Sequence, residues 1–146
     1  MVDERVAEDL VQAFSDVVRA VRVGDRQGQG SAPAAVLALL ADLHRLGDVR
    51  VGDLAAVSGT GAPTASRHAA AAEELGLVVR RPDPDDRRAC RLALTPDGAR
   101  VLEAHRAQQS RRLCQSLADW SDEDADTLLR LLRRLGPNAP APTPLH

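Results

Sequence analysis

The stretch DLAAVSGTGAPTASRHAAAAEELGLVVRRPDPDDRRACRLALTPDG, residues 53–98, decides the fold. Leu54 and Val57, three apart, give a short helix its buried side. Ser58, Gly59, Thr60, Gly61 and Ala62 break that pattern, and two glycines in so short a run permit a sharp turn. Pro63 falls in the first turn of a second helix, where its missing amide hydrogen costs no intrahelical bond. Leu75, Gly76 and Leu77 close that helix, and Leu77, Val78 and Val79 open a strand. The run RRPDPDDRR, residues 80–88, carries prolines and acids that read as a solvent-facing loop. In the returning strand Arg88, Cys90, Leu92 and Leu94 share one side, and Arg87, Ala89, Arg91 and Ala93 the other, by the period of two. Helix, turn, helix, strand, loop, strand and the start of a further helix is the order of a winged helix-turn-helix.

The second helix is the one such a fold offers to the major groove of DNA. Pro63, Thr64, Ser66, Arg67 and His68 lie at its leading end, so hydroxyls, a guanidinium and an imidazole project where base edges and phosphates would be met. Ala65 and Ala69 are the inward positions, and residues 69–72, all alanine, suit close packing on the neighbouring helix. Arg67 is of the type that reads guanine; His68 reads equally well as a surface residue touching nothing.

These residues resemble the MarR family of bacterial transcriptional regulators. Asp86, Arg87 and Arg88 are similar to its D-x-R wing motif, and Leu94, Thr95 and Gly98 to the L-T-x-x-G that starts its next helix. Thr64, Ala65, Ser66 and Arg67 resemble its T-V-S-R pattern, with Ala in place of Val. The resemblance implies a mainly α protein with a small β wing, flanked by N- and C-terminal dimerisation helices. It implies a homodimer on double-stranded DNA with a pseudo-palindromic operator, most members being repressors, and a small-molecule effector that shifts the spacing of the two recognition helices. It also implies that Arg88 enters the minor groove, with Asp86 orienting its guanidinium; Asp86 as a cap of the turn is the alternative.

Outward from this unit, residues 1–136 read as a single domain, with 31–98 the winged-helix region, 3–22 and 99–136 the dimerisation helices and 137–146 a disordered, proline-rich tail. Val6, Leu10, Ala13, Phe14, Val17, Val18 and Val21 recur at helical spacing over 3–22, an apolar stripe that needs a partner. Residues 24–30 read as a polar linker. Ser31 as cap and Pro33 in the first turn start a helix that buries Val36, Leu37, Leu40 and Leu43 until Gly47, and Arg50 and Val51 extend the wing sheet. Thr95 and Pro96 launch a long helix to about Ala118 with Val101, Leu102, Leu113 and Leu117 apolar and an exposed polar middle over 105–112. Ser121 and Asp124 cap a last helix bearing Leu128, Leu129, Leu132 and Leu135. Periodicity alone leaves open whether the end helices close a monomer's core or join two subunits.

The 146 residues carry a net charge of −2, with 19 basic residues that are all arginine. That balance alone argues against phosphate contact, but Arg80, Arg81, Arg87, Arg88 and Arg91 gather around the wing, and distribution outranks the total. A winged helix used only for protein interaction is the rival reading that the acidic balance favours. No apolar run approaches the ~20 residues of a membrane span, and Asp3 and Glu4 stand where a signal peptide is basic, so a cytoplasmic protein without membrane association is expected. His44, His68, His105 and His146 lack partners at metal-ligand spacing, there is no phosphate loop, and no nucleophile has a His and acid beside it. The expectation is no metal, no cofactor and no enzyme. Cys90, on the face of Leu92 and Leu94, reads as a buried structural thiol; Cys114, beside Arg111 and Arg112, would be the more reactive one if exposed.

Overall fold

The computed structural model describes residues 2–26 and 32–136, the side chains of 21–26 excepted. Expectations that fall on Val21, on Ser31 as a cap, on the linker over 27–30 and on the tail 137–146 lie outside those residues. The chain divides into two units, Met1–Ala34 and Ala35–His146.

The first unit is a single helix, α1, Glu4–Arg26, which continues through the glycine at 24 where a linker was expected. Asp3 caps it by accepting from the Arg5 amide at 2.9 Å. Val6, Leu10, Phe14, Val17 and Val18 all stand exposed along it.

The second unit runs α2 (Ala34–Leu46), β1 (Val49–Arg50), α3 (Val51–Val57), α4 (Ala62–Glu74), β2 (Val78–Pro82), β3 (Cys90–Leu94), α5 (Pro96–Ser116) and α6 (Asp122–Leu135). Pro33 precedes α2 instead of lying within it. The strands form an antiparallel sheet in the order β1, β3, β2. The core is Val36, Leu37, Leu39, Leu40 and Leu43 of α2, Leu54 and Ala55 of α3, Ala65, Ala69 and Ala72 of α4, and Leu77, Val78, Leu92, Ala93 and Leu102 around the sheet. Val57 does not join it and is 49% exposed, because α3 meets α4 along the Leu54 and Ala55 edge and Val57 lies at the helix end beside the turn.

The strand alternation expected over 87–94 fails for two reasons. β3 begins at Cys90, leaving Arg87 and Arg88 in a turn. It is also the middle strand and packs on α3, so Leu92 and Ala93 are both buried in succession, whereas alternation needs one wet face. Cys90, paired with Pro82 at the far end of the hairpin, is exposed and not a buried structural thiol; Cys114 is exposed too.

Thr95 caps α5 by accepting from the Gly98 amide at 3.0 Å and donates its hydroxyl hydrogen to the Gly76 carbonyl at 2.8 Å, while its own amide donates to the Leu77 carbonyl at 3.1 Å. The first turn of α5 is thereby pressed onto the start of β2, and a Cβ at position 98 would lie 2.0 Å from the Leu77 carbonyl oxygen. Only glycine fits there, which gives the L-T-x-x-G pattern its physical content. Farther along, the polar middle of α5 is not wholly exposed: His105, Gln108, Gln109 and Arg112 are half-buried at helical spacing. On α6, which Ser121 caps through the Asp124 amide, Leu128, Leu129, Leu131, Leu132 and Leu135 are all exposed.

Candidate nucleic-acid interface

The turn between α3 and α4 is held from two sides. Gly59 takes a positive φ of 62°, and the Ser58 hydroxyl donates to Asp42 of α2 at 2.6 Å. Gly61 then serves as the N-cap of α4 without a side-chain bond, with Pro63 in the first turn as expected. Because Ala65, Ala69 and Ala72 recur every three or four residues and are buried, α4 lies close on α3 and its opposite side must face outward. Pro63, Ser66 and Arg67 are exposed there, and Thr64 and His68 are half-buried at the margins. Arg67 donates to the Thr64 hydroxyl at 3.2 Å, so guanidinium and hydroxyl form one polar group on the outer face.

The wing has a different internal order from the one its sequence suggests. Asp83, expected in a solvent-facing loop, is 2% exposed. Its Oδ2 accepts from Arg50 Nε at 2.7 Å and Arg91 Nε at 2.9 Å, and its Oδ1 accepts from the Asp85 amide at 2.9 Å. Two guanidiniums and a backbone amide hold this carboxyl far below the usual carboxylate range, and Asp83 in turn raises both arginines. The Asp83 amide donates to the Ala89 carbonyl at 3.0 Å, closing the neck of a tip that carries Arg87 and Arg88. Asp86 does not orient the Arg88 guanidinium; its Oδ1 accepts from the Arg88 amide at 3.0 Å, the turn-capping alternative, because both residues sit in the tight turn at the tip.

Around the wing and α4 the carboxylates sort the arginines into two sets. Arg50 and Arg91 pair with Asp83, Arg91 also with Asp85, Arg80 with Glu73 and Arg81 with Asp48. Arg67, Arg87 and Arg88 have no such partner among the described residues, and all are exposed. Of the basic cluster read from the sequence, then, the structure commits Arg80, Arg81 and Arg91 to internal pairs. Sequence reading placed Asp83 and Arg50 in the wing region but missed that they pair with each other. The findable signal was that the strand register sets Arg50, Arg91 and Arg81 side by side, a row that demands acids.

An open hollow of about 510 Å³ lies where α5 turns into α6, lined by Asp119, Trp120, Asp124, Thr127, Leu128 and Leu131. Among the described residues no group of His, Cys, Asp and Glu could hold a metal ion, and no helix is long and apolar enough to cross a membrane.

Known proteins resemble this arrangement at the levels of sequence and fold. The description of the MarR family matches residues 32–89. YxaD of Bacillus subtilis strain 168, an uncharacterized HTH-type transcriptional regulator, is 34% identical over 97 residues, 66% of this chain and 68% of its own. A MarR family protein from Bacillus stearothermophilus superposes with a TM-score of 0.81 at 24% identity, over 94% of this chain and 98% of that one. BpsR of Bordetella bronchiseptica, whose DNA binding is regulated by 6-hydroxynicotinic acid, does so with a TM-score of 0.66 at 21% identity, over 91% and 99%.

Proposed function

The chain belongs to the MarR family, whose members are DNA-binding transcriptional regulators, and from that premise we propose that it is a repressor acting as a homodimer on a pseudo-palindromic operator. In this reading each α4 enters one of two successive major grooves, with Pro63, Thr64, Ser66, Arg67 and His68 at the groove, and each wing brings Arg87 and Arg88, braced by Asp86, to the neighbouring minor groove. Dimerisation uses the apolar residues that stand exposed along α1 and along α6. The protein works in the cytoplasm, and a small molecule releases it from DNA; the regulation of BpsR supports small molecules as the class of effector.

The observation that carries this reading is the sorting of arginines. Arg67 on α4 and Arg87 and Arg88 on the wing remain without carboxylate partners among the described residues, while their neighbours are neutralised. Within residues 32–98 these three are the arginines without a carboxylate partner, so the winged-helix region of a protein with a net charge of −2 keeps its uncommitted guanidiniums on the two elements that such a fold turns toward DNA. Arg87 and Arg88 of each protomer, about four guanidiniums in a dimer, set a slope of about −4 for log affinity against log salt, Arg67 being assigned to a base edge. Fluorescence anisotropy with DNA from upstream of its own gene, compared with a shuffled duplex between roughly 50 and 200 mM salt, checks this. Equal affinity for both duplexes, or no binding to either, would refute sequence-specific regulation and favour the protein-interaction reading.

A further inference from the structure

Arg50, Arg91 and Arg81 stand abreast on β1, β3 and β2 at the base of the wing. Like charges opposite one another in neighbouring strands repel, so the row needs counterions to hold the strands in register. Asp48 serves Arg81 and exposed Asp85 serves Arg91, but only Asp83 bridges two strands. It does so from a buried position, accepting from Arg50 and Arg91 at once. The same residue closes the neck of the tip through its amide and steadies residue 85 through its other oxygen. Arg50, the residue immediately before Val51, leads directly into α3, and α3 packs on α4. One carboxylate therefore connects the tip that bears Arg87 and Arg88 to the helix pair that bears Arg67.

We propose that Asp83 is the positioning residue of the wing, fixing the spacing between the wing tip and the recognition helix so that both engage one DNA site together. This rests on the reading of Arg87 and Arg88 as DNA-facing. It requires no contact between Asp83 and DNA, and it makes a prediction opposite in sign to that of charge alone. Removing a negative charge beside a phosphate-binding surface raises affinity and steepens its salt dependence. Releasing the wing from its anchor lowers affinity, because the tip must then be ordered at the moment of binding.

The test is a double-mutant cycle of Asp83→Asn and Arg88→Ala, read by operator anisotropy, with circular dichroism and light scattering to monitor fold and assembly. Arg88→Ala alone is expected to weaken binding on the order of tenfold. Asp83→Asn should weaken it by a comparable factor, and the two losses should fall well short of multiplying in the double variant, since Arg87 is then the one tip contact left to be mispositioned. Unchanged or tighter binding by Asp83→Asn, or losses that multiply in the double variant, would overturn the proposal. If Asp83→Asn does not fold, Arg50→Gln, which leaves Asp83 paired with Arg91, takes its place with the same expectations. A folded Arg88→Ala dimer with unchanged affinity would instead remove the DNA-facing wing itself, and the positioning role with it.

Discussion

Replacing Gly98 by Ala places helix propensity and packing in direct opposition. On propensity alone, alanine in a helix is better than glycine by up to about 1 kcal/mol. The structure reverses the sign. The new Cβ would sit 2.0 Å from the Leu77 carbonyl oxygen, 3.0 Å from its carbon and 3.2 Å from Leu94 Cδ1. Reaching ordinary contact requires the start of α5 and the start of β2 to part by roughly 1.5 Å, and neither is a flexible side-chain end. Overpacking of this kind costs about 1–3 kcal/mol. The parting also strains the bonds from Thr95 to the Leu77 and Gly76 carbonyls, each contributing about 1 kcal/mol. The balance is a net loss of about 2–3 kcal/mol, a fall in melting temperature on the order of 5–10 °C for a chain of this length. Gly52→Ala is the control: it lies in α3 with nothing within 4 Å of the added atom, and it should melt at or slightly above the parent temperature. Calorimetry at one fixed protomer concentration reads both. A Gly98→Ala protein as stable as the parent would refute the claim that α5 is seated on the wing unit through this glycine.

Light scattering at micromolar concentration should give twice the 15.6 kDa chain mass, and Leu132→Glu on the exposed face of α6 should shift it toward the single mass. Arg67→Ala should relax discrimination at one position of each half-site at a cost of about 1–3 kcal/mol, whereas Arg88→Ala should weaken most sequences alike and flatten the salt slope by about two units per dimer, as operator titrations with single-base changes would show. Asp83 is held below its ordinary range, so its pairing stabilises the fold above the unfolded-state value near 4 and that contribution is lost as pH falls through the lower folded value. The melting-temperature gap between parent and Asp83→Asn should therefore be full at neutral pH and narrow on strong acidification. The double Cys→Ser protein should keep the parent's operator affinity, while peroxide-dependent release that vanishes in a single Cys→Ser variant would show that the exposed Cys90 or Cys114 senses oxidant.

The parts of this molecule legible from sequence are those set by local rules. Gly61 and Pro63 mark the start of α4, Thr95 and Pro96 that of α5, and Ala65 and Ala69 face inward because a helix of alanines can only pack closely on its neighbour. What was illegible depends on strand partners distant in the chain. Asp83 looked like a loop acid because its ligands, Arg50 and Arg91, come from two other strands, one of them 33 residues away. Cys90 looked buried because alternation was carried past the end of the covered sheet, and Asp86 looked like a partner for the Arg88 side chain because sequence spacing cannot tell a guanidinium from the amide two residues on.

The leucines left outward on α6, with Val6, Leu10 and Phe14 on α1, bear on how the protein's abundance is kept in a cell. With assembly by these faces as proposed, a protomer's folded state gains further stability by meeting another, so the folded fraction rises with the concentration of its own kind. Dilution below the assembly threshold returns sticky helices to solvent, where proteases and chaperones act on them. Abundance then falls faster than synthesis does, and a proportional change in gene dosage becomes a disproportionate change in active regulator.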